Sequence, residues 1–304
     1  MRRTFTALAA AAILAASIAI GTAASAGATD TPQQAGHGHG IKISPYIALG
    51  DSYSAGAGVH PQVPGAPITC SRSLKNFAHD IAEITEAKSF TDVTCSGART
   101  SDFSSSQTLG VPPQLDAVTK KTRLVTMTIG GNDGDAFSSI LNGCITASHK
   151  SGSIFGNPCQ RKFRSAFTDI VANQTYPNLV KALTAVREKA PRARVVIVGY
   201  PRVMPDRGVP ACYPAMPISM GDVPYVTHWE KTLNSAVEKA AAETGAVYID
   251  MWPSSAKRDA CRPVSQRWIE PANGPINAFP VHPNIAGEAA MARQTLEQLD
   301  FDRD

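Results

Sequence analysis

Short apolar runs alternate with longer amphipathic stretches along most of the chain. The apolar runs with strand-like character cover residues 46–49, 90–95, 124–129, 195–199 and 246–250. Between or after them, apolar residues recur at helical spacing over residues 74–84, 163–189, 226–244 and 285–299. Strands that alternate with helices form a parallel sheet covered on both faces, because the crossovers are right-handed. The pattern therefore predicts an α/β fold, a three-layer α/β/α flavodoxin-like domain with a central five-stranded parallel sheet.

The first residues have the pattern of a secretory signal. Two arginines precede an apolar run over residues 7–20, and Ala-Ser-Ala at 24–26 is typical of a cleavage site. The run has about the length of a signal core and leads directly into that site, so we expect no stable membrane anchor. We predict a signal peptide over 1–26, a flexible leader over 27–41 and one domain over 42–304. The protein is then secreted, by either the general or the twin-arginine export route.

The charge balance does not indicate a nucleic-acid partner. The chain has 29 basic and 25 acidic residues, and two of the basic residues would leave with the signal. No run rich in Lys and Arg suggests a surface that binds phosphates. We therefore expect no binding to nucleic acid.

Six cysteines follow the signal, at positions 70, 95, 144, 159, 212 and 261. An even number in an exported chain favours disulfides, and none of the spacings is a zinc pattern. The first two follow the first and second strands, the middle two bracket a loop rich in Gly, Ser and Asn, and the last two lie in the long loops after the fourth and fifth strands. Proximity therefore predicts three disulfides: Cys70–Cys95, Cys144–Cys159 and Cys212–Cys261.

Each chemically suggestive segment comes after a predicted strand. Ser52 ends a Gly-Asp-Ser turn after the first strand, and Gly97 follows the second. Asn132 lies in Gly-Gly-Asn-Asp after the third strand, and His282 lies after the fifth, just before the last helix. In open α/β folds the carboxyl ends of the strands form the edge where ligands bind. We therefore expect these four residues to lie together.

These residue types together predict a serine hydrolase. A serine hydroxyl needs a base that removes its proton as it attacks, and an imidazole such as that of His282 titrates near neutrality. The oxyanion that forms needs fixed donors, which the N–H groups of Ser52 and Gly97 and the Asn132 amide would supply. Each turn taken singly is also typical of a helix cap, but all of them converge on one edge. No Gly-x-Ser-x-Gly elbow, dinucleotide loop or phosphate loop is present.

The four segments resemble the blocks of the SGNH (GDSL-type) hydrolases, which are named for Ser, Gly, Asn and His. Within that family the chain is similar to the secreted actinobacterial, Streptomyces-type lipases. The resemblance extends from residue 43 and rests on the motifs at 50–54, 92–95, 128–133, 222–225 and 281–284, together with the six-cysteine layout. It implies a flavodoxin-like fold, three disulfides, no cofactor and hydrolysis of fatty-acid esters.

One position departs from the family pattern. Most members have an aspartate three residues before the histidine, where this chain has Phe279. We expect the backbone carbonyl of Phe279, or alternatively that of Pro280, to orient His282. A carbonyl only accepts, so it selects the tautomer with its proton on Nδ1 and leaves Nε2 free to take the serine proton. Asp250, at the end of the fifth strand, is the alternative orienting group.

The sequence thus predicts a secreted lipase or esterase that hydrolyses carboxylic esters such as acylglycerols through a Ser–His acyl-enzyme mechanism. Phospholipase and polysaccharide acetyl-esterase activities use the same machinery and stay open. In another class, an inactive secreted binding protein on this scaffold also stays open. We expect a small-molecule lipid or ester as the only partner, no cofactor, no metal and a monomeric chain.

Overall fold

The computed structural model describes residues 43–300, so the predicted signal and leader lie outside the described residues. Its central sheet is parallel, with the strand order β2-β1-β3-β4-β5. The strands are β1 (Tyr46–Ala48), β2 (Phe90–Asp92), β3 (Leu124–Met127), β4 (Arg194–Val198) and β5 (Val247–Ile249). This is the order of flavodoxin-like sheets, so the predicted fold class is confirmed.

Helices cover both faces of this sheet. They are α1 (Ser52–Ala55), α2 (Phe77–Ile84), α3 (Ala136–Ser151), α4 (Pro158–Phe163), α5 (Ala166–Ile170), α6 (Tyr176–Lys189), α7 (Val223–Thr244) and α8 (Ile285–Gln298). The helix predicted over 163–189 is interrupted, because a π-helical turn over Val171–Thr175 joins α5 to α6.

Helix α3 is absent from the sequence prediction, which had a loop between the third and fourth cysteines. The structure has a shorter loop there, over residues 152–157, because α3 continues past Cys144 to Ser151 and α4 begins at Pro158. The buried face of α3 includes Ala136, Ala147 and Ser148 beside larger residues. Such small residues pack well against a core but contribute little to the helical spacing of apolar residues. The sequence pattern therefore does not reveal this helix.

Residues along the strands alternate between two apolar cores. Ile47, Val125 and Ile197 belong to the core that α3, α5, α6 and α7 share. Tyr46 and Leu124 belong to the other core, with α2 and α8. Because both faces of the sheet are covered there, β1, β3 and β4 are buried and largely apolar, which is the pattern that revealed them in the sequence, whereas the edge strand β2 (Phe-Thr-Asp) has no buried residue.

Three disulfides connect loops and helices around the sheet. They are Cys70–Cys95, Cys144–Cys159 and Cys212–Cys261, the same pairs that the sequence predicts. No cysteine between residues 43 and 300 is free. In the same part of the chain, no helix combines the length and the apolar character needed to cross a membrane.

Candidate active site

Loops at the carboxyl edge of the sheet carry the four residues singled out in the sequence. Ser52 is the first residue of α1, just after β1, and is 7% exposed. Gly97 and Asn132 lie in the loops after β2 and β3, and His282 lies between β5 and α8. The placement expected from the strand order is therefore observed.

Hydrogen bonds fix the loops after β1, β2 and β3 relative to one another. The Cys95 N–H donates to the Gly50 carbonyl at 3.0 Å, and the Asp51 N–H donates to the Thr128 carbonyl at 3.0 Å. The buried Gln114 side chain both donates to the Gly50 carbonyl and accepts from its N–H. These bonds extend the parallel pairing past the strand ends, so the three loops leave the sheet in fixed register.

A buried carboxylate lies directly before Ser52. Asp51 accepts hydrogen bonds from the Tyr53 N–H at 3.0 Å, the Thr128 hydroxyl at 2.7 Å and the Tyr200 hydroxyl at 2.5 Å. The Tyr200 oxygen in turn accepts from the Gly131 N–H at 3.0 Å. Burial raises the pKa of Asp51 to about 6, while these donors lower it. Asp51 and Tyr200 together tie the Ser52 turn to the Gly-Gly-Asn-Asp turn.

Tyr53, the residue after Ser52, contacts the loop of His282. Its hydroxyl donates to the Val281 carbonyl at 2.7 Å, and its ring centroid lies 5.3 Å from that of the imidazole. Val281 has a φ of 61°, which is rare for a β-branched residue. The Val281 N–H also donates to the Glu270 carbonyl at 3.0 Å, so hydrogen bonds hold Val281 through both its carbonyl and its N–H.

Glu270 forms several hydrogen bonds to the loop that carries His282. Its carboxylate is fully buried and accepts from the Arg267 guanidinium, from the Ile276 N–H at 2.9 Å and from the Asn284 amide at 3.0 Å. Its own N–H donates to the His282 carbonyl at 2.9 Å. The sequence analysis missed Glu270, because an acidic residue in a long loop gives no sign that it will be buried.

The carbonyl that contacts the His282 ring is that of Pro280, which the sequence analysis gave as the alternative, and not that of Phe279, which was the first choice. The His282 Nδ1 atom lies 2.8 Å from the Pro280 carbonyl oxygen. The Phe279 carbonyl instead accepts from the His282 backbone N–H at 3.2 Å, which closes a turn. Burial lowers the pKa of His282, and the Pro280 carbonyl raises it.

Asp250 is engaged elsewhere. Its carboxylate accepts from the Trp252 N–H at 2.9 Å, and its backbone N–H and carbonyl bond the Gln298 side chain on α8. With Pro280 already on Nδ1, the geometry gives Asp250 no part in orienting the imidazole.

Gly97 and Asn132, the two other residues that the sequence analysis expects to donate to an oxyanion, lie on loops joined by a hydrogen bond. The Asn132 amide donates to the Ala98 carbonyl at 3.0 Å, which uses one of its two protons. Gly97 has a φ of 78°, and a Cβ built on it would meet only the Gln107 amide, at 3.7 Å. The position therefore requires glycine for its left-handed backbone rather than for space.

Asp133 joins the same two loops. It is 3% exposed and accepts from the Thr100 N–H at 3.0 Å and from the Thr100 hydroxyl at 2.7 Å. Burial raises the pKa of its carboxyl, and the Thr100 donors lower it. Within residues 43–300, no group of three or more His, Cys, Asp or Glu side chains is arranged to hold a metal ion.

Known proteins with related sequences carry lipase and esterase names. The chain is 45% identical to Lipase 2 of Streptomyces coelicolor over 284 residues, which cover 93% of this chain and 95% of that protein. It is 29% identical to a lipase of Streptomyces rimosus over 251 residues, covering 82% and 84% of the two chains.

Solved structures and a family model agree with these relatives. Phospholipase A1 from Streptomyces albidoflavus superposes with a TM-score of 0.68 at 27% identity, over 84% of this chain and 98% of that one. An extracellular lipase from Streptomyces rimosus gives a TM-score of 0.67 at 26% identity with the same coverage. The model of the GDSL-like lipase/acylhydrolase family matches residues 48–290. The chain belongs to this family, and its activity is that of a lipase or esterase.

Proposed function

We propose that the protein is a secreted enzyme that hydrolyses fatty-acid esters such as acylglycerols, with Ser52 as nucleophile and His282 as base. The proposal is carried by the environment of the imidazole. Nδ1 lies against the Pro280 carbonyl, so the ring keeps its proton there and presents Nε2 as the acceptor. The same ring packs against Tyr53, the residue that follows Ser52.

The first half of the reaction forms an acyl-enzyme. Ser52 Oγ attacks the ester carbonyl carbon while its proton passes to Nε2 of His282. The N–H groups of Ser52 and Gly97 and the free amide proton of Asn132 donate to the oxyanion. Collapse of the tetrahedral intermediate breaks the carbon–oxygen ester bond, and the departing alcohol takes the proton from the imidazolium.

Water completes the cycle by the same route. His282 takes a proton from water as it attacks the acyl carbon, and collapse of the second intermediate returns that proton to Ser52 Oγ and releases the fatty acid. During both attacks the Pro280 carbonyl accepts from the Nδ1 proton of the imidazolium. A neutral carbonyl stabilises this cation less than a carboxylate would, but it keeps the productive tautomer.

A phospholipid is the second candidate substrate. The resemblance to a solved phospholipase A1 supports it, because the same acyl transfer serves any primary ester of glycerol. Secretion is supported by the signal-like N-terminus, the three disulfides and the extracellular lipase among the solved relatives.

The proposal is tested with a Ser52→Ala variant and a matched Ser105→Ala control, whose serine lies exposed in the loop after β2. Hydrolysis of p-nitrophenyl esters from acetyl to palmitoyl, of emulsified triacylglycerol and of phospholipid is measured for each. We expect Ser52→Ala alone to lose turnover and labelling by a fluorophosphonate probe while keeping its fold. Normal turnover by Ser52→Ala would contradict the mechanism, and the acyl and head-group series identifies the substrate.

A further inference from the structure

Most of the large apolar side chains that remain exposed lie outside the α-helices and strands. Of the nine such residues between positions 43 and 300, seven lie on loops or short turns that connect those elements, and we call these seven the apolar tips. The apolar tips are Ile68, Leu109, Phe155, Val209, Val264, Ile276 and Phe279. The remaining two are Ile84, at the end of α2, and Ile285, at the start of α8.

Three apolar tips lie close to the proposed catalytic residues. Ile68 lies two residues before Cys70, whose disulfide to Cys95 anchors the segment that contains Gly97. Gln107, two residues before Leu109, donates from its side chain to the carbonyl of Ser96, the residue before Gly97. The Phe279 ring lies 6.2 Å from the imidazole of His282 between centroids. Ile68 and Leu109 are more than nine-tenths exposed.

Two further tips lie on loops that both contact Met220. Phe155 follows Ile154, whose carbonyl accepts from the Met220 N–H at 2.8 Å. Val209 follows Gly208, where an added Cβ would lie 2.5 Å from the Met220 Cα. The loops of Phe155 and Val209 therefore meet at Met220, each through the residue that precedes its apolar tip.

The apolar tips are single side chains rather than one continuous patch. Each has a glycine or a proline as an immediate neighbour in the chain, so each projects from a turn. The core of a protein interface is a closely packed and continuous surface. Separate projecting side chains instead suit a fluid surface that deforms around each of them, such as the boundary between lipid and water.

The charge near the apolar tips favours an anionic surface. No Asp or Glu occurs over residues 52–79, which contain Ile68, or over residues 136–168, which contain Phe155. Directly after Phe155, α4 and its C-terminal flank carry Arg161, Lys162 and Arg164, all of them exposed. Basic side chains beside apolar ones increase the affinity of a surface for anionic lipid.

We propose that the apolar tips and the basic residues of α4 form a docking face for an anionic lipid surface, such as a phospholipid bilayer or a droplet carrying released fatty acid. The choice of lipid as the occupant rests on the function proposed above. Docking by this face would bring the mouth of the site against the lipid, so that an ester chain enters without crossing water. The affinity of the face comes from apolar side chains leaving water and from charge attraction.

The test uses flotation with vesicles of phosphatidylcholine, with and without phosphatidylglycerol, in a Ser52→Ala background that cannot consume the lipid. The variant combines Ile68→Ser, Leu109→Ser and Phe155→Ser, and the matched control is Ile84→Ser, which removes an exposed isoleucine at the end of α2. We expect the triple variant to bind mixed vesicles about 100-fold more weakly and the control to bind normally. Arg161→Glu with Lys162→Glu should abolish the preference for phosphatidylglycerol.

The possible results separate the two proposals. Equal binding by the triple variant and the control would overturn the docking face, and so would a stable dimer that buries the apolar tips in sedimentation experiments. Equal binding to both vesicle types would overturn the anionic assignment. With Ser52 restored, the triple variant should hydrolyse a soluble acetyl ester at the normal rate, which shows that it folds. If no ester is hydrolysed but the vesicles bind as expected, the proposed function fails while the docking face stands.

Discussion

The Tyr53 hydroxyl donates a 2.7 Å hydrogen bond to the Val281 carbonyl, across 228 positions of the chain. Tyr53 follows Ser52 directly, and Val281 precedes His282. This one bond therefore joins the neighbours of the proposed nucleophile and base. Because Val281 has a left-handed backbone, a bond to its carbonyl also helps to hold the turn that aims the imidazole.

Replacing Tyr53 by Phe should reduce kcat about tenfold with little change in KM for a soluble ester, because small displacements of a base are costly. Stability should fall by about 1–3 kcal/mol, since a buried carbonyl loses its donor. Kinetics and denaturant unfolding measure the two effects. Tyr176→Phe is the control, since that hydroxyl bonds an exposed Glu243. A variant that loses stability but keeps its kcat would show that Tyr53 has only a structural role.

The pH profile should show a single acidic limb with its midpoint below the ordinary imidazole value. Burial lowers the pKa of His282, and the Pro280 carbonyl only partly opposes this. The neutral ring is the base, so kcat/KM should rise with pH through that pKa and level off by about pH 7. Stability should change in the same direction. The unfolded chain binds the proton more readily, so acid takes stability away as the pH falls from about 6.5 through the folded pKa.

The measurement is kcat/KM for a neutral soluble ester from about pH 5 to about pH 8. A flat profile, or a limb centred above neutrality, would argue against His282 as the base. Asp51 titrates in the same region, since burial raises its pKa to about 6. The next variant distinguishes the two groups.

Phe279→Asp would put a carboxylate where most family members have one. The Phe279 ring already lies 6.2 Å from the imidazole, so the new negative charge should raise the pKa of His282. The acidic limb of kcat/KM should then move to higher pH. Phe279→Asn removes the same ring without adding charge and should leave the limb in place. If both variants have the same profile, His282 is not the group that titrates in the limb.

Tyr200→Phe should destabilise the protein more at pH 8 than at pH 5. The lost hydroxyl donates to Asp51, and this bond is stronger when the carboxyl is ionised. At about pH 5 the carboxyl is largely protonated, because burial raises the pKa of Asp51 to about 6. We expect a loss of about 1–3 kcal/mol at the higher pH. Urea unfolding at both values measures it, with Tyr176→Phe again as control, and an equal loss at both would contradict the role given to the Asp51 charge.

The strands and the four chemical segments were predictable because each leaves a local signal. A strand buried on both faces is a continuous apolar run, and a turn that ends it shows Gly, Asp, Ser or Asn. The observed β2 ends at Asp92 rather than at residue 95, where the Asp92 carboxylate binds the Thr94 N–H and hydroxyl, although the Cys95 N–H still bonds the Gly50 carbonyl. Strand ends depend on such side-chain bonds, which periodicity does not show.

Residue types and their order along the chain were sufficient to predict the fold class and the disulfide pairs, and they also nominate the nucleophile, base and oxyanion donors of the proposed mechanism. Folding was needed to select Pro280 over Phe279, to bury Glu270 beneath the histidine loop and to join Tyr53 and Tyr200 to distant turns. The physical reason is the distance along the chain over which each kind of interaction acts. Periodicity and turn chemistry act over a few neighbouring residues, whereas a tyrosine hydroxyl or a buried carboxylate acquires its role from partners that only the packed chain brings within 3 Å.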